Sequence, residues 1–220
     1  MFDVQEFRGP VSGGERDSEI DFGQLRMSAA IHQEQDNQNI ETIVSVLKQW
    51  GKSPPYRVLD IGCGYGVVTV DRFGADNRFE VVAADNCERA LETARSWFTE
   101  ENIKYEHIDI EAPVSRYQEE FDIVVAAYLL HHVPRDEQVL QYLWEYVADG
   151  GALFVRSCDD GQHMHYPEDE RIEYVVEKTR EVGGDSDRLH GRRLPTQFNT
   201  VLSPTPDAID FNVRNYSTAG

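Results

Sequence analysis

Disulfide frameworks, zinc knuckles and membrane spans leave marks that this sequence lacks. Its three cysteines, Cys63, Cys87 and Cys158, are scattered and odd in number. No C-x-x-C pair occurs, so neither a disulfide framework nor a zinc site is indicated, and the thiols read as reduced in a cytosol. The first residues, with Asp3, Glu6 and Arg8, show no basic region followed by an apolar core. No later apolar run approaches the roughly 20 residues that cross a bilayer. Basic residues are scarce, 21 Lys and Arg against 40 Asp and Glu, for a net charge of −19. Such a surface repels phosphate backbones, so nucleic acid is not an expected partner. No internal repeat recurs at a period of about 20–50 residues. What remains is a cytoplasmic chain, monomer or homodimer, whose 220 residues at 40% hydrophobic content can bury one sizeable core.

What is present centres on Val58-Leu59-Asp60-Ile61-Gly62-Cys63-Gly64-Tyr65-Gly66. An apolar, β-branched run ends in an acid and then in glycine at every second position, which predicts a buried strand turning sharply into a helix. Without a Cβ, Gly62, Gly64 and Gly66 can take positive φ and let a ligand lie against the main chain. A dinucleotide fingerprint, G-x-G-x-x-G, would need its third glycine where Val67 stands, one residue after Gly66. The stretch instead resembles the first motif of class I S-adenosylmethionine-dependent methyltransferases, an acid followed by x-G-x-G-x-G, here Asp60, Gly62, Gly64 and Gly66.

The rest of the chain extends that resemblance over about residues 56 to 157. Residues 1 to about 22, with Gly9-Pro10 and Gly13-Gly14, read as loop. A helix follows from about Gln24, with Ile40, Ile43, Val44 and Leu47 as its apolar stripe and Gly51 and Pro54-Pro55 as its stop. Residues 1–50 are thus an arm and lid, and in the resembling family this region covers the cofactor; Arg26, Gln33 and Gln38 could face it. Residues 51–220 form the S-adenosylmethionine-binding domain. A short helix should run from Val67 to Phe73, and Phe79 to Ala84 should form a strand ending at Asp85. A carboxylate there can accept both ribose hydroxyls of an adenosyl group, each bond to a charged acceptor contributing roughly 1.5–3 kcal/mol. Asn86 suits the N-cap of the next helix, whose stripe is Ala90, Leu91, Ala94 and Trp97, and it is counted among the cofactor residues. After a strand over Ile103 to His107, Asp109 and Ile110 match the family's acid for the adenine amino group and its apolar neighbour on the ring.

Phe121 to Tyr128 is the most continuously apolar stretch and suits a central parallel strand; Tyr128, at its end, is counted with the cofactor residues. It leads into His131-His132, placed where open α/β sheets bind ligands and able to take a proton near neutral pH; these are the candidate catalytic bases. A helix with Val139, Leu140, Leu143, Trp144 and Val147 should stop at Asp149-Gly150-Gly151 before a strand Ala152 to Val155. Past this the match thins. Asp159, Asp160, His163 and His165 have types that could ligate a metal, though no metal is assigned to this chain. A helix opening at Glu168 and closing by Arg180, a basic cluster Arg188 to Arg193, and one strand over Ile209 to Tyr216 complete the pattern. The family sheet closes with an antiparallel pair, so one strand is missing, either because the chain is truncated or because the sheet edge is unusual.

The resemblance implies an α/β fold, doubly wound, with a mostly parallel seven-stranded-type sheet, helices on both faces and an N-terminal helical lid. It implies S-adenosyl-L-methionine as cofactor, S-adenosyl-L-homocysteine as product and a small-molecule substrate methylated on oxygen, nitrogen or carbon. Ala126-Ala127-Tyr128-Leu129 stands where methyltransferases of nucleobase amines carry (Asn/Asp)-Pro-Pro-aromatic, which points away from that substrate class. Two other readings stay open: an NAD(P)-dependent oxidoreductase of Rossmann type, and a non-catalytic adenosyl-binding module that holds a protein partner.

Overall fold

A computed structural model describes residues 8–10, 19–159, 170, 171, 174, 177, 178, 186–207, 209 and 210, with side chains from Gln33 onward. Its frame is a five-stranded, wholly parallel sheet. In chain order the strands after the arm are β3 (Tyr56–Ile61), β4 (Phe79–Asp85), β5 (Ile103–His107), β6 (Phe121–Ala127) and β7 (Val147–Arg156). In space they run β5-β4-β3-β6-β7. The chain therefore winds outward from β3 through β4 to β5, crosses back to β6 on the other side of β3 and continues outward to β7, leaving a crevice between the carboxyl ends of β3 and β6. The α/β doubly wound reading holds, with five strands of the seven-stranded pattern among the described residues.

Helices cover both faces because the central strands are apolar on both. α1 (Phe22–Gln49) and α2 (Val67–Phe73) bury Ile40, Val44, Leu47 and Phe73 against Val58, Val81, Ile123 and Val125. On the opposite face α4 (Asp136–Glu145) brings Val139, Leu140 and Leu143 against Leu59, Val124 and Ala126. Here α5 (Leu194–Val201) packs Leu194, Phe198 and Val201 onto the same cluster. α3 (Glu88–Trp97) joins β4 to β5 and buries Ala90, Leu91 and Ala94. No helix among the described residues is long and apolar enough to cross a membrane.

Several local expectations change. The arm read as loop carries two three-residue strands, β1 (Arg8–Pro10) and β2 (Glu19–Asp21), paired antiparallel with Gly9 opposite Ile20. Main-chain pairing over so short a ribbon needs no apolar alternation, so composition does not reveal it. Trp97 is not core: it is 38% exposed and stacks on Tyr65 at 6.2 Å between ring centroids. The helix expected to run through Val147 to Asp149-Gly150-Gly151 ends at Glu145, and those residues open β7 instead. Gly150, at φ +67°, lets the strand bulge, so pairing passes from Phe121 with Val147 to Ile123 with Ala152. α5 had no forecast; Pro195 sits in its first turn, where a missing N–H costs nothing. The helix expected over Glu168 to Arg180 lies outside the described residues except for five positions, which are helical. The strand expected over Ile209 to Tyr216 also lies outside them, apart from 209 and 210, which are in no strand.

Candidate cofactor loop and catalytic site

The turn after β3 is built from main chain. Gly62, Gly64 and Gly66 take φ of +78°, +53° and +76°, all left-handed. The amides of Gly62 and Cys63 both donate to the Ala84 carbonyl, at 2.8 and 3.1 Å, which ties the turn to β4. A Cβ on Gly66 would stand 2.7 Å from Tyr105 Oη, and one on Gly62 would stand 3.1 Å from Leu129 Cδ1. One on Gly64 would meet nothing within 4 Å. Gly62 and Gly66 are thus needed for packing as well as for φ, whereas Gly64 presents a bare, open peptide face.

Asp85 reinforces the turn from the next strand. Its Oδ2 accepts from the Gly64 amide at 2.8 Å and its Oδ1 from the Cys87 amide at 2.9 Å. Each carboxylate oxygen keeps a further lone pair for a ligand hydroxyl. Asp85 also does the capping expected of Asn86: Cys87 is the N-cap of α3 and makes no side-chain cap bond. The Asn86 carbonyl lies 2.9 Å from His107 Nε2. Past β5, Asp109 is exposed and its Oδ1 accepts from the Glu111 amide at 3.0 Å. Ile110, 6% exposed, packs with Ile61 and Ala84. The ends of β3, β4 and β5 therefore bring an open glycine face, a half-buried carboxylate and an acid-plus-isoleucine pair to one edge of the sheet. That set fits an adenosyl group: bare main chain for close approach, spare acceptors for a diol, and an acceptor for an exocyclic amine.

Asp60 lies behind the loop rather than in front of it. It is 3% exposed, and Thr69 Oγ1 donates to its Oδ2 at 2.7 Å. Arg72 Nη1 stands 3.7 Å from Asp60 Oδ1 and Arg72 also donates twice to Asp36 Oδ2, at 3.0 and 2.9 Å. Arg156 forms an ion pair with the other oxygen of Asp36. Burial pushes the Asp60 carboxyl pKa up, with the Arg72 charge opposing it. The four side chains alternate in sign, which is how buried charges become tolerable, and they bind α1, α2, β3 and β7 into one unit.

On the other side of the crevice, Tyr128 adopts φ +58°, a left-handed backbone that costs a non-glycine residue about 1 kcal/mol or more. Its amide donates to the Arg156 carbonyl at 2.8 Å and its ring is 39% exposed. His131 and His132 follow in a single 3-10 turn, Leu130–His132, their rings 4.0 Å apart. They diverge in setting. His132 is open to solvent, yet partial burial and then the Arg188 charge hold its pKa below the usual imidazole value. His131 is 4% exposed, with Nδ1 3.4 Å from Ser157 Oγ.

Ser157, which lies beside the expected His131, carries no sequence signal of its own, and neither does Asp136. Ser157 Oγ also lies 2.9 Å from His190 Nδ1, and His190 Nε2 lies 3.1 Å from Asp136 Oδ2. His190 is fully buried, and that burial lowers its pKa while the Asp136 charge works against the shift. The segment that carries His190 clasps the ends of β6 and β7: the Asp187 amide donates to the His131 carbonyl and the Gly191 amide to the Cys158 carbonyl, both at 2.7 Å. The only sequence signal was His190 inside the basic cluster. Of the possible metal ligands, Asp159 is taken by Arg192 at 2.7 Å, and Asp160, His163 and His165 lie outside the described residues. Beside Tyr128, Arg156 and Ser157 opens a groove of about 1520 Å³, flanked by Gln35, Gln38 and Asn39 of α1. The Arg26 side chain lies outside the described residues, and Gln33 is exposed.

Comparison with known proteins bears on the same stretch. Residues 58–151 match the family model described as a methyltransferase domain. A ubiquinone biosynthesis O-methyltransferase from Psychrobacter cryohalolentis is 30% identical over 105 residues, covering 47% of this chain and 41% of that protein. The one from Aromatoleum aromaticum is 34% identical over 100 residues, covering 44% and 42%. The chain thus spans less than half the length of these curated relatives. Among solved structures the CurJ carbon methyltransferase superposes with a TM-score of 0.52 at 21% identity, over 62% of this chain and 40% of that one, which shows a shared fold.

Proposed function

We propose that the chain is a class I S-adenosylmethionine-dependent methyltransferase, a reading supported by the match of residues 58–151 to a methyltransferase domain, and that it methylates a small-molecule metabolite at oxygen, nitrogen or carbon. The observation that carries this reading is the glycine turn, left-handed at all three glycines and locked to Asp85 through the Gly64 amide. Bound there, S-adenosylmethionine would supply an electrophilic methyl group on a sulfonium and leave as S-adenosylhomocysteine. Gly62, Gly64 and Gly66 give its amino-acid and ribose ends a bare main chain; Asp85 accepts from the ribose hydroxyls; Asp109 and Ile110 take the adenine. Asp60 positions the turn from behind through Thr69 and Arg72, Tyr128 lines the groove, and Asn86 follows Asp85 at the end of β4.

Methyl transfer is an in-line displacement, so the residues mainly hold the acceptor about 3–3.5 Å from the methyl carbon and keep water out. A hydroxyl or amine acceptor then has one proton to lose, and His131 or His132 accepts it. His132, with its lowered pKa, is neutral at pH 7 and competent for this.

Of the residues placed at the site, Tyr128 also lines the groove that runs along β7, next to Ser157. Residues 1–50 are the arm and lid and residues 51–220 the cofactor-binding domain; supporting that division, Gln35, Gln38 and Asn39 of α1 line the groove. A net charge of −19 favours a metabolite over nucleic acid, and the reading takes the protein as a cytoplasmic monomer or homodimer. The test is transfer of labelled methyl from S-adenosylmethionine to a metabolite extract. Label should enter small molecules with the full chain and fall at least about a hundredfold in the His131→Ala, His132→Ala double variant. No transfer by a chain that binds the cofactor would leave a non-catalytic adenosyl-binding module.

A further inference from the structure

Two imidazoles share one hydroxyl in this site. Ser157 Oγ is 2.9 Å from His190 Nδ1 and 3.4 Å from His131 Nδ1. A hydroxyl has one proton to give and two lone pairs, so it can donate to one ring and accept from the other, not donate to both. The direction is set from the far end. Asp136 Oδ2 stands 3.1 Å from His190 Nε2 and is itself fixed by Gln197 Nε2 at 2.8 Å and Arg193 Nη2 at 3.2 Å. That contact lacks hydrogen-bond geometry, so Asp136 acts through its charge: a carboxylate this close favours the proton on Nε2, and a lone pair there would be repelled. His190 is fully buried and held neutral, so a proton on Nε2 leaves Nδ1 as an acceptor.

We propose that Asp136, His190 and Ser157 form a chain of positioning residues that fixes the tautomer of His131. Asp136 holds the proton on His190 Nε2; Ser157 Oγ–H donates to His190 Nδ1; His131 Nδ1–H donates to Ser157 Oγ; and His131 Nε2 becomes the basic nitrogen of the ring. The members come from four places, the turn after β6 (His131), the end of β7 (Ser157), the start of α4 (Asp136) and the 186–193 clasp (His190), and nothing local requires them to meet. The charged and titratable groups around the chain are His132, whose ring adjoins His131, Arg188 beside His132, and Arg193 with Asp187 beside Asp136. The spatial order Ser157–His190–Asp136 resembles a nucleophilic triad, but His190 is sealed from any substrate and the Ser157 hydroxyl is shared with a second imidazole. A basic Nε2 on His131 serves proton acceptance, and its use in methyl transfer rests on the function proposed above.

The test is the nitrogen chemical shifts of the full chain labelled with 15N-histidine, read at pH 8 without cofactor. In the wild type His131 should carry its proton on Nδ1 and His190 on Nε2. Ser157→Ala should turn His131 into a tautomer mixture, while Ser157→Thr, which keeps the hydroxyl, should retain the wild-type pattern. Far-UV circular dichroism confirms that each variant is folded. With an acceptor in hand, Ser157→Ala should lower kcat about tenfold at unchanged KM for the cofactor, a fraction of what a general base contributes. A His131 protonated on Nε2 in the wild type, or a tautomer indifferent to Ser157→Ala, overturns the proposal. The tautomer pattern without methyl transfer would sink the function and leave the chain standing.

Discussion

The two halves of the crevice are made of different material. On the side of β3, β4 and β5 the site is peptide backbone: three left-handed glycines, a pair of amides on the Ala84 carbonyl, and a carboxylate whose two oxygens hold main-chain N–H groups. On the side of β6 and β7 it is side chains brought together from distant segments, Ser157 lying 26 positions from His131 and 33 from His190. Backbone geometry tolerates almost no change at the glycines and little variation in ligand. A side-chain cluster can be rebuilt one residue at a time. The first half suits an invariant cofactor and the second a particular acceptor.

The sharpest way to break the contrast is to add side chains to the backbone half. Gly66→Val puts a branched residue at φ +76° and drives its Cβ into the Tyr105 ring, whose Oη lies 2.7 Å away. S-adenosylhomocysteine binding should become undetectable by calorimetry, and stability should fall by about 2–4 kcal/mol in chemical denaturation. Unchanged affinity would mean that the turn is not the cofactor seat.

A milder change on the other half should act through pH. Burial lowers the folded-state pKa of His190 below its unfolded value near 6.5, so the unfolded chain binds the proton first as pH falls. Its contribution is full above about pH 6.5 and is lost as pH drops from there through the folded pKa. His190→Gln should flatten that part of the stability curve, read from denaturation midpoints at pH 5.5, 6.5 and 7.5. Cofactor affinity at pH 7.5 should change less than about threefold, because the glycine half is separate.

The smallest effect is expected outside both halves. Trp97→Ala removes a half-exposed ring's contacts with Tyr65 and Phe98 and should cost about 1 kcal/mol by thermal melting. A loss of about 3–5 kcal/mol would restore the tryptophan to the core.

The same contrast explains what could be read from sequence. The strands β3 to β6, α2 and the glycine turn announce themselves through contiguous runs, and Val67–Phe73 and Ile103–His107 were placed to the residue. The end of β4 at Asp85 is legible in the βαβ spacing. Local signals failed where one residue type serves two geometries: Gly150-Gly151 reads as a helix stop and acts as a strand bulge, and Trp97 has the spacing of a buried stripe at a helix end that no core covers. Asp60 has the family position for a cofactor residue and is enclosed by Thr69, Arg72 and Asp36, which lie on two other elements, α2 and α1. Ser157, His190 and Asp136 carry no motif, because only the clasp of residues 186–193 over β6 and β7 brings them together.

The most direct measurement is calorimetric titration of the full chain and of Asp85→Ala with S-adenosylhomocysteine and, separately, with NADH. The wild type should bind the first and not the second, and Asp85→Ala should weaken binding about 10- to 100-fold, the worth of one or two hydrogen bonds to a charged acceptor. Equal affinity in wild type and variant, or heat from NADH alone, would contradict an adenosyl sulfonium seated on the glycine turn.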